Sequence, residues 1–66
     1  MRLFNVVIRT KYGYGFGVVD LSKKYTFREL DKICDGLYFN DIAMAKAQLM
    51  KKNGGNNLPF YDEVFG

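Results

Sequence analysis

The sequence predicts an α+β domain in the order ββααβ: an N-terminal antiparallel β-hairpin, two short packed helices, and a C-terminal edge strand or docked tail. Three observations carry this. Two runs rich in β-branched and aromatic residues stand on either side of a short corner, a capping-box signature follows, and a second helix start comes soon after the first helix stops.

In the first run, residues 2–10, Phe4, Val6 and Ile8 alternate with Leu3, Asn5, Val7 and Arg9, which is the period of a strand. Lys11-Tyr12-Gly13 makes the corner and Tyr14 to Leu21 reads as the second strand, giving a hairpin over residues 1–22. Thr26-Phe27-Arg28-Glu29 fits a capping box, and Tyr25 and Leu30 are spaced for a hydrophobic staple. A helix is expected over 26–36, with Phe27, Leu30, Ile33, Cys34 and Leu37 on one side and Gly36 as a left-handed stop.

Asn40 is read as the N-cap of a second helix over 40–53, with Phe39 placed to staple onto Met44. Only Leu37, Tyr38 and Phe39 separate the helices, so they are expected as neighbours packed on one face of the hairpin, the link itself being short and extended enough to lie against the sheet. A flexible loop is expected at 54–57. Residues 58–66 are apolar and aromatic and must dock, with Pro59 limiting any strand there to an edge.

At 66 residues the chain is one domain, in the size range where burial is least complete. A hydrophobic content of 48% still suffices for a core and excludes disorder for the whole chain. With a single cysteine, Cys34, and no histidine, an intrachain disulfide is excluded and no metal or cofactor is expected. Dense packing or self-association is the remaining compensation. No apolar run approaches the roughly 20 residues that span a bilayer, and the start is too quickly polar for a signal peptide, so no membrane partner and a cytoplasmic location are expected. Residues 1–52 carry ten Lys and Arg against five Asp and Glu, whereas 53–66 carry only Asp62 and Glu63. The body is basic and the tail acidic, which favours a polyanion or an acidic protein surface as partner.

Cys34 falls on the apolar side of the first helix and Ser22 is the only serine, so with no imidazole to activate either, no enzyme is expected. Binding is the remaining class. Tyr12, Tyr14 and Phe16 alternate with Gly13, Gly15 and Gly17, which puts three rings on one face of a strand and leaves the other bare. One reading makes the rings core and the glycines a place where a helix backbone approaches. The other makes them contacts, and two expectations follow from it, with a third resting on the second helix.

The first is a small non-catalytic protein-binding module, of the kind viruses and mobile elements encode as inhibitors that cover a host protein surface. Its anchors would be Tyr12, Tyr14, Phe16, Tyr61 and Phe65. The second is binding of RNA or single-stranded nucleic acid by the hairpin rings, with Arg9, Lys11, Lys23 and Lys24 on the phosphates. The third is a homodimer through the second helix, where Ala43 and Ala47 form a small-residue row flanked by Met44 and Met50. Lys46 is expected to reach outward between Ile42 and Met50.

Gly13-Tyr14-Gly15-Phe16 resembles the core of the RNA-binding signature of RNA-recognition motifs and, more loosely, that of cold-shock domains. The resemblance covers four residues. Tyr12 stands where the signature has a basic residue and Gly17 where it has an aliphatic one. The resemblance implies a sheet face on which bases stack, but the helices that follow run against an all-β barrel and the chain is short for an RNA-recognition motif.

Overall fold

The computed structural model describes residues 1–52 and 56–66. Strand β1 (Leu3–Thr10) pairs antiparallel with β2 (Gly13–Asp20), Leu3 opposite Asp20 and Thr10 opposite Gly13. The Thr10 hydroxyl closes the turn by donating to Gly13 O and accepting the Tyr12 N–H. At the open end the Asp20 carboxylate accepts the Ser22 hydroxyl, the Ser22 N–H and the Arg2 N–H, which together hold its pKa down at about 2.

Side chains alternate across a strand, so this register stacks Phe4, Val6 and Ile8 beside Gly15, Gly17 and Val19 on one face. Leu3, Asn5, Val7 and Arg9 share the other face with Tyr14, Phe16 and Val18. Both faces are apolar, and both are covered. Helix α1 (Phe27–Cys34) lies on the glycine face, where Leu30 and Cys34 join Val6, Ile8 and Val19 in one buried cluster. Helix α2 (Ile42–Lys52) lies on the ring face, where Ala45 and Leu49 bury Val7 among Tyr14, Phe16, Phe39, Phe60 and Val64.

This corrects the expectation that the two helices share one face. A hairpin with apolar residues on both sides needs a cover on each, and one helix is spent on each. α1 packs directly on Gly15 and Gly17: a Cβ on Gly15 would overlap Cys34 Sγ, and one on Gly17 would overlap Ile33 Cγ2.

The local signals hold at α1. Thr26 Oγ1 accepts the Glu29 N–H at 3.2 Å and Glu29 Oε1 accepts the Thr26 N–H at 2.9 Å, completing the capping box and lowering the Glu29 pKa. The left-handed stop comes one residue earlier than expected, at Asp35 (φ 57°), with Gly36 (φ 76°) continuing it. At α2 the cap is Asp41 rather than Asn40: its carboxylate accepts the Met44 N–H at 2.8 Å. Phe39 pairs through its backbone with Tyr14, at 2.7 and 2.9 Å, and its ring stacks on Phe16 at 6.2 Å. The link between the helices thus runs along the outer edge of β2.

The C-terminal segment docks along the outer edge of β1 without forming a strand among the described residues. Asn5 N–H donates to Pro59 O and Asn5 O accepts the Tyr61 N–H; further on, Val7 O accepts the Phe65 N–H and Arg9 N–H donates to Phe65 O. These make two isolated parallel bridges, Asn5 to Phe60 and Ile8 to Phe65. Between them β1 advances three residues and the tail five, so a continuous ladder cannot form. The observed order is therefore ββαα with a docked tail. Asn53, expected to end α2, and Gly54 and Gly55 of the expected loop lie outside the described residues. No helix among the described residues is long and apolar enough to cross a membrane.

Candidate functional site

The hairpin turn and the start of α1 meet in an open groove of about 370 Å³ lined by Lys11, Tyr12, Phe27, Arg28 and Asp31. Tyr12 occupies the turn, where no strand neighbour covers it, and is 59% exposed. Phe27 is the first residue of α1 and is 75% exposed. Helical side chains tilt toward the N-terminus, so at this first position the ring overhangs the end of the helix instead of lying on the sheet.

The wall of the groove is braced from behind. The Tyr12 ring rests on Tyr38 with centroids 5.4 Å apart, and the Tyr38 hydroxyl donates to Asp31 Oδ1 at 3.0 Å. Burial, and then that hydrogen bond to a carboxylate, push the Tyr38 phenol up to about 12. It therefore stays a protonated donor at neutral pH and holds both Tyr12 and Asp31 in place. Lys11 Nζ lies 5.3 Å from the Tyr12 ring centroid, a cation–π distance, and Arg28 is exposed on the opposite wall. Chemically the groove offers two rings, two cations and one carboxylate.

The residues singled out in the sequence are spread over the molecule. Of the five aromatic anchors only Tyr12 lines this groove. Tyr14 and Phe16 are half-buried beneath α2. Tyr61 and Phe65 are half-buried along β1, with Tyr61 edge-on to Phe4 at 5.9 Å and Phe65 edge-on to Tyr25 at 5.8 Å. Arg9, Lys11, Lys23 and Lys24 are all exposed. Lys11 stands at the turn, whereas Lys23 and Lys24 follow the other end of β2, with Lys23 Nζ 5.4 Å from the Tyr25 ring centroid. Ala43, Met44, Ala47 and Met50 are exposed together on the outer side of α2. Lys46 turns sideways, 3.5 Å from Asp62 and 5.2 Å from the Phe60 ring centroid.

Phe27, Arg28 and Asp31 are not among the contact residues expected from the sequence. Phe27 falls within the apolar stripe of its helix, and the only signal setting it apart is its place as the first residue after the cap. Cys34 is buried, and desolvation pushes its thiol up to about 11, which keeps it un-ionised at neutral pH. Among the described residues no group of three metal-ligating side chains is assembled.

Fold and groove together define a small α+β domain, a hairpin between two helices with an aromatic groove at its turn. No family model matches the chain, and no curated protein or solved structure shows significant similarity to it.

Proposed function

We propose that the protein is a small non-catalytic protein-binding module that grips a partner chain in the groove between Tyr12 and Phe27. The observation that carries this is the pair of exposed rings on a braced wall with Arg28 beside them. Interface anchors are drawn disproportionately from aromatic residues and arginine, and burying an exposed ring is worth about 1.5–3 kcal/mol. A partner segment carrying a bulky apolar side chain suits the two rings. Action by covering another protein's surface, as viral or mobile-element inhibitors do, is part of the same proposal and rests on size and composition. So is a cytoplasmic location, which suits the unpaired Cys34.

Single-stranded nucleic acid is the second reading, favoured by Lys11 and Arg28 beside the rings. Two features weigh against it. One side of Tyr12 is taken by Tyr38 and Lys11 lies over the ring, and the Asp31 carboxylate repels a phosphate in so small a groove.

Capture from cell extract on immobilised protein, with nuclease treatment, separates the two. Wild type should retain a protein partner after nuclease, while a Tyr12→Ser/Phe27→Ser double variant should lose affinity by about 100-fold from two unburied rings. Both residues are exposed, so circular dichroism should be unchanged. Loss of the captured material on nuclease treatment, or equal capture by the variant, would contradict the proposal.

A further inference from the structure

We infer that the outer face of α2 is a self-association surface, on which a second copy of this chain packs antiparallel to form a two-fold dimer. The inference is independent of the groove, which lies on the α1 side of the sheet.

A helix covering a sheet needs one apolar side, and α2 has two. Ala45 and Leu49 supply the buried side. At 100° per residue Ala43, Ala47 and Met50 fall opposite them, with Met44 and Lys51 alongside, and all five are exposed, Met44 by 48% and Met50 by 49%. Nothing in the sheet's own packing calls for this second side. Ala43 and Ala47 carry almost no side-chain bulk, so two such helices can approach to the short end of the usual 8–10 Å axial spacing.

Charge selects the occupant and its direction. On this face of α2 the charge is Lys51, in the last turn, while Asp41 caps the N-terminal end. A parallel pair would set lysines against lysines. An antiparallel pair crossing at Ala47 sets Lys51 beside Ala43 and near Asp41 of the second copy, and Met44 beside Met50. It also opposes the two helix dipoles. Each contact is made twice by the symmetry. A 66-residue chain that has neither a disulfide nor a histidine for metal binding is also of the size that dimerisation commonly supports.

Sedimentation equilibrium on the intact protein at about 0.15 M salt, where long-range repulsion between two positive chains is screened, tests this. The weight-average mass should rise from 7.6 kDa toward twice that value as concentration rises from about 10 µM to about 1 mM. Ala47→Glu sets two carboxylates together at the crossing and should weaken the dimer by about 10- to 100-fold. Ala43→Glu faces Lys51 only in the antiparallel register and should tighten it by about 3- to 10-fold. Circular dichroism checks that both variants fold, and the second remains decisive if the first does not. A monomer at every concentration, a dimer indifferent to Ala47→Glu, or a dimer weakened by Ala43→Glu would overturn the inference.

Discussion

Replacing Gly15 with Ala should lower the unfolding free energy by about 2–3 kcal/mol, read as a fall in the urea midpoint with little change in slope. Gly15 is buried in β2, and the added methyl would overlap Cys34 Sγ while standing 2.9 Å from Cys34 Cβ and 3.1 Å from Leu37 O. Its φ is not positive, so alanine meets no backbone strain there. In the absence of α1 the change would stabilise the protein by about 0.4–1 kcal/mol, because alanine restricts the unfolded chain. The sign of the effect therefore reports whether a helix lies on this face. Gly17→Ala should destabilise as well, since its methyl would overlap Ile33 Cγ2, and a β-branched side chain on a helix has little freedom at χ1 to move that methyl away. For a chain of this size the total stability is of order 3–10 kcal/mol, so Gly15→Ala alone should leave a substantial unfolded fraction on warming.

Replacing Asn5 with Asp should release the tail. Asn5 is 2% exposed, and its amide donates to Asn56 Oδ1 at 2.9 Å and to Leu58 O at 3.0 Å while accepting from Asn56 Nδ2 at 3.2 Å. Aspartate keeps the shape and the acceptor but loses both donors, leaving a buried carboxylate facing two oxygens. The loss of two hydrogen bonds and the exposure of like-signed oxygens to each other should cost about 2–4 kcal/mol. That cost falls on docking before it falls on the hairpin. In hydrogen exchange the Tyr61 and Phe65 amides, which bond to Asn5 O and Val7 O, should lose protection, while the amides between β1 and β2 keep theirs. Equal loss along both edges of β1 would show instead that tail and hairpin unfold as one unit.

The local features of this fold are written in short stretches of sequence, and they were legible. The Thr26–Glu29 capping box, the Lys11-Tyr12 corner and the strand alternation each depend on residues a few positions apart. The choice of face was not. Residues 35–41 that link the helices could place α2 beside α1 or across the sheet, and what decides is that Val7, Tyr14 and Phe16 also need cover, a property of the paired hairpin rather than of any one segment. The glycines of β2 carried the answer, because a strand face stripped of side chains is one that a helix approaches closely. The same ambiguity spread the expected anchors apart. Tyr14 and Phe16 share a face with each other, but it is the face α2 occupies, and only Tyr12, beyond the last strand pair, stays open. Phe27 lay hidden in the sequence for the opposite reason. Its spacing is that of a core position, and only the end of the helix puts it in the groove.

The claim on which the functional account turns is that the ring of Phe27 meets a protein. A photo-crosslinking phenylalanine analogue placed at Phe27, in the intact chain in its native cell, tests it most directly, with the same analogue at exposed Lys24 as control. The account predicts a discrete, protease-sensitive and nuclease-resistant adduct from position 27 that the control does not give. No adduct, a nuclease-sensitive one, or the same adduct from both positions would contradict it.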